Sequence, residues 1–129
     1  MRRILLHNLI TKDLELCKKK KWHNGLDEEL PRVYKLLKID SNLPGESPIK
    51  HLGEKWGGKI KHAYVALPKE NCGGRNGGRV VYIVESDKCR VIYVGGHKDK
   101  RYDKQHSLSE LILERIEDSL WTEWIDDQD

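Results

Sequence analysis

Cations and ionisable rings are concentrated at the end of one apolar stretch. Two runs rich in Val, Ile and Tyr, residues 79–84 and 90–94, flank a polar joint, and Gly95-Gly96 ends the second run. The residues that follow it directly include His97, Lys98, Lys100, Arg101 and Tyr102. Cations and rings held at the end of buried strands have the stiff support that a phosphate-handling site needs.

A second set of cations lies on the stretch Lys59 to Leu67. Its alternation is typical of a strand, with Lys59 and Lys61 on one face and Ile60, His62 and Tyr64 on the other. The lysines are candidates for contacts with an anion. His62 is interpreted as a structural residue.

The elements that must position these residues form an α+β pattern. A short apolar run within residues 2–7 could be a strand or the lead into a helix. Helices are predicted from Lys12 to about Trp22, with Thr11 as its cap, and from Asp27 to about Ile39. The strand at 59–67 and the two apolar runs form a three-strand meander. Ser107 and Glu110 form a capping box that opens a helix predicted to run to about Ile125.

Composition favours one domain of 129 residues, 35% charged and 37% hydrophobic. Net charge is +3 overall, but residues 55–104 carry 12 Lys or Arg against 5 Asp or Glu, while residues 105–129 carry 1 against 8. A basic sheet region suggests a polyanionic partner. No apolar run approaches membrane-spanning length, and we expect a cytoplasmic protein without a membrane partner.

The cysteines and carboxylates do not predict a metal site. Cys17, Cys72 and Cys89 lack the paired spacing of a disulfide scaffold or a zinc site. Glu85 and Asp87 fall in the turn far from the candidate site, so no acidic cluster there would hold Mg²⁺. We therefore expect no metal and no cofactor.

Three stretches, in this order, resemble the RelE/ParE superfamily of bacterial and archaeal toxins. Lys59-Ile-Lys61 resembles the paired-lysine strand of RelE ribonucleases, and Arg79-Val-Val-Tyr82 resembles the family's Arg-Leu/Val-Val/Ile-Tyr strand. The stretch 94–102 (VGGHKDKRY) is similar to the closing segment of the family. The resemblance covers roughly residues 26–104. The chain departs from the family in two places: its Gly-rich loop at 68–78 is longer, and His97 stands where RelE proper has Arg.

The resemblance implies a RelE-like fold, with two N-terminal helices packed on a small antiparallel sheet and a C-terminal helix over about 107–125. It implies a metal-independent endoribonuclease that cleaves mRNA at the ribosomal A site, as the toxin of a type II toxin–antitoxin system. The catalytic residues implied are Lys61, Arg79, His97 and Tyr102, expected on one concave face. Predicted substrate contacts are Lys59, Lys98, Lys100 and Arg101.

Roles for these side chains follow from what metal-free RNA cleavage requires: a base, an acid and positive charge at the phosphate. Lys59, Lys61 and Arg79 would hold the phosphate. His97 would act as acid or base, because histidine changes protonation near neutral pH. Tyr102 would stack on a nucleobase of the RNA, or it would act as the general base if the cations at 98, 100 and 101 lower its pKa.

Two other functions remain open from the sequence. A ParE-like inhibitor of DNA gyrase needs no aligned acid and base, and a degenerate member would survive as a binding module. The family also implies an antitoxin protein that shields the basic face, beside mRNA and the ribosome as partners. The acidic terminal helix could instead cover that face within the same chain.

Overall fold

The fold was obtained as a computed structural model, which describes residues 1–39 and 42–126. The described residues form six strands and four α-helices. In order they are β1 (Arg3–His7), α1 (Ile10–Lys20), α2 (Leu26–Ile39), β2 (Ser47–Pro48), β3 (Ile60–Val65), β4 (Gly78–Glu85), β5 (Lys88–Gly95), α3 (Lys100–Asp103), α4 (Gln105–Ile116) and β6 (Trp121–Glu123). The α+β class is confirmed.

The strands form one mixed sheet in the order β2-β3-β4-β5-β1-β6. The meander β3-β4-β5 is antiparallel, as predicted, and occupies the middle of the sheet. The short N-terminal apolar run is a strand, and it pairs parallel to β5. Parallel strands need a crossover connection between them. Here the chain between β1 and β5 crosses the sheet with α1 and α2, which allows the parallel pairing.

Both faces of the sheet are covered, which explains why β4 and β5 are almost continuously apolar. One core joins α1 and α2 to residues such as Ile4, Val65 and Val91. The other joins α4 and the connection 49–56 to the opposite face, through Ile49, Leu52, Leu108 and Ile112 among others. We call these the helical-hairpin face and the α4 face.

The predicted boundaries of the helices require correction. The first helix begins at Ile10 with Leu9 as its cap, and Thr11 does not cap it. The last begins at Gln105 and has no side-chain cap, so Ser107 lies inside its first turn. Helix termini are set by local backbone hydrogen bonds, which several nearby residues can satisfy equally well.

The last helix also ends at Ile116, well before the predicted Ile125. Trp121–Glu123 instead forms β6, which pairs antiparallel with β1. The apolar spacing of Leu120 and Trp124 continues the helical pattern by coincidence. Pairing with the free edge of β1 satisfies backbone groups that would otherwise lie at an open sheet edge, and this tertiary contact overrides the local pattern.

Candidate functional site

Residues with acid–base chemistry meet on the α4 face, at the end of β3 and β4. Alternation places His62 and Tyr64 of β3 on this face, and the register Tyr64↔Arg79 brings Arg79 to the same side. Tyr93 of β5 faces the same way, opposite Val81. After β5 the chain turns back through α3, and the Tyr102 ring stacks parallel on Tyr93 at 5.7 Å between ring centroids.

His62 is held through both of its ring nitrogens. Its Nδ1 lies 2.6 Å from the Tyr102 hydroxyl, and its Nε2 lies 2.7 Å from Ser47 Oγ. Ser47 comes from β2, which pairs with β3 in the register Ser47↔His62. The imidazole is therefore fixed in orientation by two different elements.

A second histidine flanks the same tyrosine. The His97 ring meets the Tyr102 ring edge-on, with centroids 5.1 Å apart. Its Nδ1 lies 3.0 Å from Asp103 Oδ1, and 58% of its side chain is exposed. His62 and His97 thus both contact Tyr102, and one is half-buried while the other is accessible to solvent.

The electrostatic setting differs between the tyrosine and the histidine it contacts. Burial lowers the pKa of His62, and the charges of Arg79 and His97 lower it further, so the imidazole is neutral at pH 7. Burial raises the pKa of Tyr102 to about 12, against a hydrogen bond and a positive charge from Arg79 that lower it. The phenol is therefore protonated at neutral pH.

Tyr102 thus meets neither role expected of it. Its raised pKa argues against a general base, since loss of hydration outweighs the nearby cations. Its side chain is 4% exposed and stacks on Tyr93, so the ring has no free face for an RNA base. The structure instead makes Tyr102 a buried residue that contacts both histidines.

Arg79 is buried rather than open to a substrate. Its guanidinium donates to the carbonyl oxygens of Gly74, Arg75 and Gly78, at 3.2, 2.8 and 2.9 Å. It also lies over the Tyr64 ring, 4.4 Å from the centroid. Because these contacts occupy most of its donors, Arg79 organises the Gly-rich loop and the ring cluster rather than presenting a free fork to a phosphate.

Lys61 does not join the cluster. As the neighbour of His62 on a strand, it points to the helical-hairpin face, where its Nζ lies 3.4 Å from Glu46 Oε1. The expected convergence of Lys61 with Arg79, His97 and Tyr102 is therefore wrong for Lys61. Lys59, just before β3, is exposed and lines a separate surface depression with Trp56 and Glu85.

The cations after His97 have different surroundings. Lys98 lies 3.5 Å from Glu70, with more than half of its side chain exposed. Lys100 is exposed. Arg101 is tied to Asp99 at 2.7 Å and to the buried Asp13 at 3.2 Å, so its charge is neutralised inside the molecule.

An open cavity of about 450 Å³ lies against the two histidines. Its polar wall contains Ser47, His62, His97 and Tyr102, and Lys50 and Gln105 also line it. Sequence reasoning missed Ser47 and Lys50 and interpreted His62 as structural. The available signal was phase: His62 lies on the strand face opposite the two lysines, the face that Arg79 shares.

The structure describes no helix long and apolar enough to cross a membrane within residues 1–39 and 42–126. Over the same residues, no group of three or more His, Cys, Asp or Glu side chains is placed to hold a metal ion. Comparison of the chain with protein-family models, with curated proteins and with solved structures found no match in any of the three.

Proposed function

We propose that the protein is a metal-independent endoribonuclease, a RelE-like toxin that cleaves mRNA on the ribosome. The observation that carries the proposal is that His62 and His97 both contact Tyr102 and both line one open cavity. Two imidazoles at one site supply the base and the acid that transfer of a phosphate to the ribose 2′-hydroxyl requires. The motif resemblance to the RelE/ParE superfamily supplies the substrate class.

His62 suits the base. Its lowered pKa keeps it neutral, and a proton on Nδ1 donated to the Tyr102 oxygen leaves Nε2 free to accept. Nε2 faces Ser47 Oγ, which a substrate hydroxyl would replace. The 2′-oxygen then attacks the phosphorus, and the proton passes to His62.

His97 suits the acid. It is the more exposed imidazole, and Asp103 orients it through Nδ1. In its protonated form it delivers a proton to the leaving 5′-oxygen, so the bond to that oxygen breaks and a 2′,3′-cyclic phosphate forms. Lys50, exposed at the cavity, would offset charge on the phosphate, and Lys98 and Lys100 stay predicted contacts for the RNA backbone.

The test is induced expression of the wild type beside His62→Ala, His97→Ala and a matched control, His106→Ala. His106 is 88% exposed on its side chain and lies outside the cluster. Growth is followed while primer extension maps the mRNA ends. We expect arrest with new, codon-phased ends in the wild type and the control, and relief in both site variants, since removal of an acid or base typically costs 10²–10⁴-fold in rate.

A second function, binding without catalysis, is favoured by the surroundings of Arg79 and Lys61. The family's two phosphate-holding cations are here occupied by loop carbonyls and by Glu46. Growth arrest with intact mRNA would assign the protein to the gyrase-inhibitor class. A folded protein that neither arrests growth nor cuts mRNA would be a binding module. In either toxin class, a cognate antitoxin is the expected partner.

A further inference from the structure

The cavity beside the two histidines has a lining of two chemical kinds. One part is apolar, and we call it the floor; it is formed by Pro48, Ile49 and Leu108, of which Ile49 and Leu108 are each 6% exposed. The other part includes the imidazoles of His62 and His97. A ligand that fits must therefore have an apolar face and must bring a reactive polar group to the histidines.

We propose that this cavity binds the nucleobase of the nucleotide that donates the 2′-hydroxyl, on the 5′ side of the cleaved bond; this rests on the proposed ribonuclease function. A base is a planar ring with two apolar faces and a polar edge, so it can lie on the floor formed by Ile49 and Leu108. The cavity volume of about 450 Å³ falls within the range of small-ligand sites.

The position of the base follows from the position of the proton acceptor. The 2′-hydroxyl must reach His62 Nε2, which lies 2.7 Å from Ser47 Oγ in the cavity lining. The base on the same ribose is the part of the RNA closest to that hydroxyl that can fill an apolar space. The amide of Gln105, exposed at the rim where α4 begins, offers both a donor and an acceptor to the polar edge of the ring.

α4 is the element that makes the cavity. Leu108 lies one turn into this helix, and the connection after β2 supplies Ile49 to the same lining. Substitutions in α4 or in the connection after β2 should therefore alter which nucleobase the cavity accepts, while both histidines stay in place.

The test measures binding without cleavage. A DNA dinucleotide lacks the 2′-hydroxyl and cannot be cut by this chemistry, and an analogue that lacks the 5′ base is its matched control. Both are titrated into full-length protein with labelled Ile and Leu methyl groups, followed by NMR. We expect the Ile49 and Leu108 signals to shift with the complete dinucleotide, and the analogue to bind about tenfold more weakly.

Equal affinity for the two dinucleotides, or shifts that leave Ile49 and Leu108 unmoved, would overturn the proposal. Leu108→Trp fills the cavity and should weaken binding of the complete dinucleotide to the level of the analogue. Leu113→Trp is its control, since Leu113 lies on the same helix, is 37% exposed and does not line the cavity. The wild-type titration decides the question even if Leu108→Trp fails to fold.

Cleavage of ribosome-bound mRNA by the same preparation separates this inference from the proposed ribonuclease function. Cleavage without selective binding of the base would leave the ribonuclease standing and remove the base site. Selective binding without cleavage would keep the base site and remove the ribonuclease.

Discussion

The Tyr102 hydroxyl links the buried Arg79 to His62. Removing this hydroxyl therefore tests how much the site contributes to the stability of the fold. Tyr102→Phe keeps the stack on Tyr93 but leaves His62 Nδ1 without its partner at 2.6 Å. We expect the free energy of unfolding to fall by about 1–3 kcal/mol, because the hydrogen bonds of the hydroxyl to His62 and to Arg79 are both lost. Urea denaturation measures the change.

The same variant gives a second readout on function. If His62 is the base, loss of its oriented Nδ1 should also lower the rate of RNA cleavage beyond what the loss of folded protein explains. Tyr64→Phe is the matched control, since Tyr64 contacts Arg79 through its ring face rather than through a hydroxyl bond to His62. A Tyr102→Phe protein as stable and as active as Tyr64→Phe would argue against this support.

His23 should make the fold sensitive to mild acid. It is 5% exposed, and its Nε2 is buried without a hydrogen-bond partner among the described residues. Burial lowers its pKa in the folded state. As pH falls below about 6.5, the unfolded chain binds the proton before the folded chain does, so the free energy of unfolding falls.

We therefore expect the wild-type Tm to drop between pH 7.5 and pH 5.5, and His23→Asn to drop by less. Asn removes the titrating ring and tolerates the positive φ of 50° at this position. His106→Asn, the same change at an exposed residue, should follow the wild type. Parallel curves for the wild type and His23→Asn would show that His23 does not govern the acid response; His62, whose pKa is also lowered, would then be examined next.

At the scale of elements, the ion pair of Asp13 and Arg115 makes hydrogen bonds to β5 where a neighbouring strand would otherwise make them. β1 pairs with β5 only as far as Val91, so the second half of β5 lacks a neighbour on that edge. There the Val94 amide donates to Asp13 Oδ2 at 3.4 Å, and the Ile92 carbonyl accepts from Arg115 at 3.0 Å. Asp13 and Arg115 are themselves joined at 2.7 Å, which connects α1 to α4 past the edge of the sheet.

Arg115→Met should therefore cost about 3–5 kcal/mol of unfolding free energy, because Asp13 would keep its buried charge with one fewer partner. Arg3→Met is the matched control: it removes an ion pair with Glu123 whose side chains are 57% and 38% exposed, and it should cost far less, because exposed ion pairs contribute little to stability. Urea denaturation of both variants makes the comparison. If the two substitutions lowered the free energy of unfolding by similar amounts, the buried ion pair would contribute no more to stability than the exposed one.

The elements were predictable to the extent that their signals are local. The β4–β5 hairpin and α2 follow from β-branched residues around a polar turn and from an apolar stripe, so their existence was evident in the sequence. β6 was not, because a three-residue strand exists only through its pairing with β1. The orientation of Arg79 was likewise inaccessible, since its carbonyl partners come from a loop without a pattern.

The sequence predicted where the candidate site lies, but not all of the residues that form it. Segment 97–102 does lie beside the end of the sheet that carries Arg79, as expected from the turn after β5. The contribution of Ser47 depends on a two-residue strand that exists only through its pairing with β3. The alternation of β3 indicates the face on which His62 lies, but its partners Ser47 and Tyr102 are brought to it by tertiary contacts that have no local pattern.

At the scale of the molecule, residues 117–126 join the two cores. Trp121 lies against His7 with ring centroids 5.0 Å apart, and Asp118 accepts from the buried His7 ring at 2.7 Å. Trp124 then reaches the helical-hairpin face, where it meets Tyr34 at 5.4 Å. This segment starts beneath α4 and ends against α2, so it should contribute to the stability of both layers.

Trp124→Ala is expected to lower the free energy of unfolding by about 2–3 kcal/mol, less than for a fully buried tryptophan because its side chain is half-buried. Leu120→Ala, in the same segment but 63% exposed, should change it by less than about 0.5 kcal/mol. Thermal or urea denaturation compares the two. Equal effects would mean that the segment is not anchored at Trp124.

The pairing of β1 with β6 also has a consequence for biosynthesis. Residues 3–7 leave the ribosome first among the strands, and their partner at 121–123 is translated last, on the order of ten seconds later at ordinary elongation rates. Throughout that interval the nascent chain exposes one edge of β1, a template for pairing with other chains. Slowing translation should therefore increase aggregation of this protein, and a ribosome stalled before residue 121 is added would hold a chain in which β1 still lacks its β6 partner.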